Sequence, residues 1–189
     1  MKVKDIVREA ASALGLTEAV NFCDGKNVSD GATPAAGEED AMELLKFFHR
    51  TETDTAANYV PLVYEESVES VDGKIDTSAL SKRFLRAAYL LDKNGGRAQY
   101  KTCPGYLKTA VKSGVLGYAY LPEEKTLSDD SDYSSDELEK AFVAGVAAEY
   151  YLKKQLFEES EVFGREYKAA LSMARRLQHG KSFKARRWR

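Results

Sequence analysis

Apolar residues recur at helical spacing in "VKDIVREAASALG", where Val3, Ile6, Val7, Ala10, Ala13 and Leu14 fall on one face and Gly15 supplies a stop. The segment is short, so tertiary packing must hold it in place. Apolar period is lost from residue 21 to 37, "NFCDGKNVSDGATPAAG", and a loop is expected there. Gly25-Lys26 in that stretch is not a phosphate-binding loop, because Asn27 follows and no glycine cradle precedes it. A second helix is expected from near Glu38, its acids Glu38, Glu39 and Asp40 suiting the positive end of the helix dipole. Ala41, Leu44, Leu45 and Phe48 mark its buried stripe, which continues through Thr55, Ala56 and Tyr59 toward Pro61.

The period then changes. "LVYEESVESV" is β-rich and ends in Asp72-Gly73, and "RFLRAAYLLD" runs through Lys93-Asn94-Gly95-Gly96 into "RAQYKTC". An Asn-Gly pair between two such runs predicts a hairpin. In "VLGYAYLP", Val115, Gly117 and Ala119 alternate with Leu116, Tyr118 and Tyr120, as in a strand. Beyond an acidic stretch, Ser134 followed by Glu137 reads as a capping box. A third helix then turns Leu138, Ala141, Phe142, Gly145, Ala148, Leu152 and Leu156 inward. A fourth, near Glu158–Leu177, does so with Phe163, Tyr167, Ala170, Leu171 and Ala174. Their short connection implies an antiparallel hairpin.

The expected fold is therefore α+β: a helical bundle with a small antiparallel β-sheet, within Leu62–Leu121, inserted between the second and third helices. Four segments follow. Residues 1–61 hold the N-terminal helices and the loop at 21–37, 62–133 the sheet and acidic loop, 134–178 the helical hairpin, and 179–189 a basic tail.

Composition narrows the function. The chain has 189 residues, 43% of them apolar and 31% charged, in the range of ordinary globular domains. It shows no apolar run of 18 residues and no signal-type segment behind Met1, so neither membrane spanning nor secretion is expected. Cys23 and Cys103 lack metal or redox spacing and are expected to be reduced side chains. His49 and His179 are solitary, and no catalytic residue, metal ligand or cofactor motif emerges. Asp129-Asp130-Ser131-Asp132 lacks the glycine and closing glutamate of a calcium loop.

The net charge of −2 hides a segregation. Glu123, Glu124, Asp129, Asp130 and Asp132 belong to an acidic stretch, whereas Lys181, Lys184, Arg186, Arg187 and Arg189 crowd the last eleven residues with Phe183 and the single tryptophan, Trp188. Separate acidic and basic regions permit head-to-tail contacts between copies. Arginine and tryptophan are favoured anchors at protein interfaces, and no groove-reading element accompanies them.

The order of "YVPLVYEESVESVDGKIDTSAL", "AQYKTCPGYL", "YAYLPEEKTLSDDSDY", "AGVAAEYYLKKQLFEESEVFGREYKAAL" and the terminal "RRWR" resembles head–tail connector (adaptor) proteins of tailed bacteriophages. It is similar to the tail-tubular type, most clearly from Asn58 onward. The resemblance implies a non-enzymatic virion protein, made in the host cytoplasm and placed at the head–tail interface. A ring, dodecameric in most such connectors, would sit under the portal protein and extend the DNA channel without sequence-specific binding. The free protein would be a monomer. The resemblance also implies a portal-docking tail of Lys181, Phe183, Lys184, Arg186, Arg187, Trp188 and Arg189. Glu123, Glu124, Asp129, Asp130 and Asp132 would contact the next subunit or a tail-side protein. The alternative is a nucleic-acid-binding packaging or regulatory accessory protein that uses the same basic tail on phosphates. An enzyme is a distant third.

Overall fold

The computed structural model describes residues 1–26, 35–134 and 136–178. They divide into two compact units, residues 1–48 with 127 onward and residues 49–126. The class is α+β, with five α-helices and two antiparallel sheets among the described residues.

The first unit is helical: α1 (Val3–Ala13), α2 (Thr17–Cys23), α3 (Glu38–Asp54) as far as Phe48, α4 (Asp136–Lys153) and α5 (Phe157–Gln178). The stripe of α1 is buried at Val3, Ile6, Val7 and Ala10, as its spacing predicts. α4 is the central element, with Ala141, Phe142, Ala144, Val146 and Ala147 all buried, and it packs against both α1 and α5. Burial on more than one side explains why α4 is apolar nearly all round. The Phe142 ring meets Phe48 edge-on at 5.6 Å and Tyr133 at 5.4 Å, joining α3 and the segment before α4 to this core. α4 and α5 form the expected hairpin, closed by Ser160 Oγ donating to Ala148 O at 3.0 Å and by stacking of Tyr151 on Phe163.

Three expectations need correction here. α2 is an additional helix, and its last residues, Asn21–Cys23, fall inside the expected loop. Only Ala19 and Cys23 of its seven residues are buried, too few to establish a visible period. With α2 counted, the strands follow the third helix and precede the fourth, rather than lying between the second and third. Leu152 and Leu156, expected to face inward, are 48% and 44% exposed. They lie at the hairpin tip, where Gln155 turns the chain with φ of +61°. Residues 27–34 of the loop, the side chains of the expected capping box beyond Ser134, and the tail at 179–189 lie outside the described residues.

The second unit contains the last turns of α3, a π-helical continuation (Thr55–Tyr59) and all six strands. These are β1 (Leu62–Glu69), β2 (Lys74–Asp76), β3 (Phe84–Asp92), β4 (Tyr100–Cys103), β5 (Tyr106–Thr109) and β6 (Ser113–Tyr120). They form two three-stranded sheets, β1-β6-β3 and β2-β5-β4, in place of the single expected sheet. Val68, Ile75, Leu90, Leu107, Leu116 and Tyr118 make a common core, one or two from each of five strands. Alternation in β6 is as expected: Leu116 and Tyr118 join that core, while Gly117 and Ala119 face the other way.

Asp72 and Gly73 adopt φ of +51° and +71°, and Val71 and Lys74 exchange two hydrogen bonds of 2.9 Å around them. That is a two-residue turn with left-handed backbone at both central positions, which Asp-Gly favours. The turn after β3 is also present. Asp92 Oδ1 accepts from Asn94 N and Gly96 N, both at 2.8 Å, and Ala98 N donates to Leu90 O. The hairpin expected there stops after one bridge, Leu91 with Arg97. β3 ladders onto β6 and β4 onto β5, so the turn chemistry set the reversal and the core set the pairing.

Candidate interaction surfaces

The five acidic residues singled out from the sequence are all exposed, and they are divided between the two units. Glu123 and Glu124 belong to the β unit, and Asp129, Asp130 and Asp132 to the helical unit. Glu123 lies 3.6 Å from Lys82 Nζ. Asp130 lies 3.9 Å from the Met1 amino group, within a short main-chain bridge where Val3 N donates to Asp129 O and Ser131 N to Met1 O. Part of the acidic stretch thus holds the chain's own start against the helical unit. The tail residues Lys181, Phe183, Lys184, Arg186, Arg187, Trp188 and Arg189 lie outside the described residues, beyond the end of α5.

A buried polar group sits in the β unit. Lys125 Nζ lies 3.1 Å from Glu52 Oε2, with side chains 9% and 1% exposed. Lys125 N donates to His49 Nε2 at 3.0 Å. One turn further on, Thr55 Oγ1 donates to Thr51 O at 2.8 Å, just where the helix widens into its π-helical turn. The arrangement clamps the segment after β6 onto the end of α3. Beside it opens a cleft of about 700 Å³ lined by Arg50, Asp54, Asn58, Arg83, Glu123 and Glu124 among others. Both signs of charge meet there, so the cleft selects no simple anion or cation. His49 is a mid-helix residue with a structural partner.

Protonation follows burial and hydrogen bonding. The Tyr118 hydroxyl accepts from Lys82 N at 3.1 Å and donates to Glu66 Oε1 at 3.2 Å. Burial pushes its pKa up, and the Glu66 carboxylate adds to this. The Cys23 thiol is raised chiefly by burial. Cys23 and Cys103 are both free thiols. Among the described residues no group of three or more His, Cys, Asp or Glu is placed to hold a metal ion, and no helix is long and apolar enough to cross a membrane.

Some exposed apolar residues were not anticipated. Leu152, Leu156 and Phe157, about the tip of the α4–α5 hairpin, are exposed, as are Val162 and Met173 further along α5. The inward stripe of α5 is legible from its period, whereas the complementary positions carry no such periodic signal. Counting apolar residues opposite that stripe would have found Val162 and Met173. No family model matches the chain, and no curated protein matches its sequence.

Proposed function

We propose that this protein is a structural virion protein, a head–tail connector that forms a ring beneath a phage portal, joins capsid to tail and extends the DNA channel. The reading is carried by the α4–α5 hairpin. α5 has 22 residues and leads into a segment with five bases, two aromatics and no acid. Such a segment suits docking into a partner's acidic, apolar surface, since arginine and tryptophan bury large areas while pairing charge. The ordered segments that resemble connector proteins support the same reading.

In this scheme the helices form a bundle that makes the ring body, with the sheets inserted as the part facing tail-side proteins or the next subunit. Arg186, Arg187 and Trp188 anchor the tail on the portal. Exposed acids such as Glu124 and Asp132 meet neighbours around the ring. DNA passes through the channel without sequence readout, and the protein performs no catalysis. Ring closure awaits the portal, because rings formed early would block ordered assembly.

Truncation tests the reading. Removing residues 180–189 is expected to leave thermal stability of the protein unchanged while abolishing co-sedimentation with portal-bearing capsids. Undiminished attachment of the truncated protein would refute the tail's role. Steeply salt-dependent binding of the intact protein to duplex DNA, with none to capsids, would favour the accessory-protein reading.

A further inference from the structure

β1 and β2 begin as a hairpin and do not continue as one. Val71 and Lys74 exchange two hydrogen bonds around the Asp72-Gly73 turn, and there the pairing ends. β1 goes on to pair with β6 and β2 with β5, each strand an edge of its own sheet. The edges they could have shared stay open. Ser70 N donates to Lys112 O on the β6 side, so by alternation Ser67 and Glu69 turn their N–H and C=O groups away from β6. Thr77 N donates to Gly105 O on the β5 side, so Asp76 turns its own groups away from β5.

Between these edges lies a second cleft of about 700 Å³, wholly within the β unit. The core-facing side of β1 presents Val68 to it, beside Ile75 and Leu80, and the opposite side presents Ser67 and Glu69. Acids outnumber bases among the lining residues, with Glu66, Glu69 and Asp76 against Lys74. Ser81 and Tyr118 hold Glu66, Ser78 holds Asp76, and Lys74 lies over the Tyr106 ring. Glu69 is exposed and has no such partner among the described residues.

We infer that this cleft receives residues 181–189 of a second copy of the chain, laid along β1 as an added strand. The open N–H and C=O groups of Ser67 and Glu69 pair with any extended backbone, and the surplus of acid selects a basic one. That segment has five bases, two aromatics and no acid. From Phe183 to Arg186 its apolar and basic residues alternate, Phe183 and Ala185 with Lys184 and Arg186. An added strand carries that period onto the two sides of β1, the apolar pair beside Val68 and the bases beside Glu69. A cleft and a tail are different patches, so the contact runs head to tail from copy to copy. A short added strand buries little area, and free copies therefore separate on dilution. The inference goes beyond the connector reading and does not depend on it.

A fluorescent peptide of residues 180–189, titrated with the full-length chain at concentrations where that chain is monomeric, tests the cleft. Anisotropy is expected to saturate at one peptide per chain. Ser67→Pro removes an outward N–H, leaves the β6 ladder in place and weakens binding roughly tenfold, whereas Ser67→Ala, which keeps the N–H, does not. Glu69→Lys, at an exposed site, also weakens it roughly tenfold, while Glu9→Lys, an exposed acid on α1, leaves it unchanged. Sedimentation of the chain alone is expected to show association at high concentration that Glu69→Lys reduces. A peptide that fails to bind, or binds as well to the Glu69→Lys chain, would overturn the inference. So would a chain that stays monomeric at every concentration. No portal enters these measurements, so their failure leaves the truncation test of portal attachment as it stands.

Discussion

Tyr118 is the residue at which burial, hydrogen bonding and pH meet. Its hydroxyl lies in the core shared by the two sheets, between Lys82 N and Glu66. Burial raises its pKa in the folded protein, so the unfolded chain ionises first as pH climbs through the usual tyrosine value of about 10. Unfolding then releases a proton, and stability falls with rising pH. Below that value the contribution is fully present. Tyr89 and Tyr106 shift in the same direction, through hydrogen bonds to Glu65 and with Cys103 respectively. Urea unfolding between pH 8 and about 11 is therefore expected to show a decline above pH 10. Tyr118→Phe loses about 1 kcal/mol at neutral pH and declines less steeply. An alkaline decline of equal slope in the variant would remove Tyr118 as a cause.

Among the elements, β6 organises the β unit, and Gly117 is its most constrained position. Glu65 of β1 and Tyr89 of β3 flank Gly117 in register, and the Tyr89 hydroxyl donates to Glu65 across the bare strand. A Cβ at position 117 would collide with the Tyr89 ring. Gly117→Val is expected to cost about 1–3 kcal/mol in thermal unfolding. Adding Tyr89→Ala should recover part of the loss, and a silent Gly117→Val would contradict the packing. Much at this scale was legible beforehand. α1, α3, α4 and α5 announced themselves by period, β6 by alternation, and both turns by Asp-Gly and Asn-Gly. Strand pairing was not legible, because turn signals report only neighbours in the chain. β6 takes the centre of its sheet by burying Leu116 and Tyr118, a long-range effect without a local signature. The short α2 has too few buried apolar positions, Ala19 and Cys23, to show a period.

At the scale of the molecule, the chain builds a helical unit from its two ends and a β unit from its middle. The acidic stretch is divided between them. One part helps hold the start of the chain, and the other flanks the cleft near His49. The strongly basic segment follows α5 in the sequence. The most direct measurement is native mass spectrometry of purified portal rings after incubation with the full-length protein. The account predicts a ring of many copies retained on each portal, lost on removal of residues 180–189. Portal rings that emerge with no added mass would contradict it.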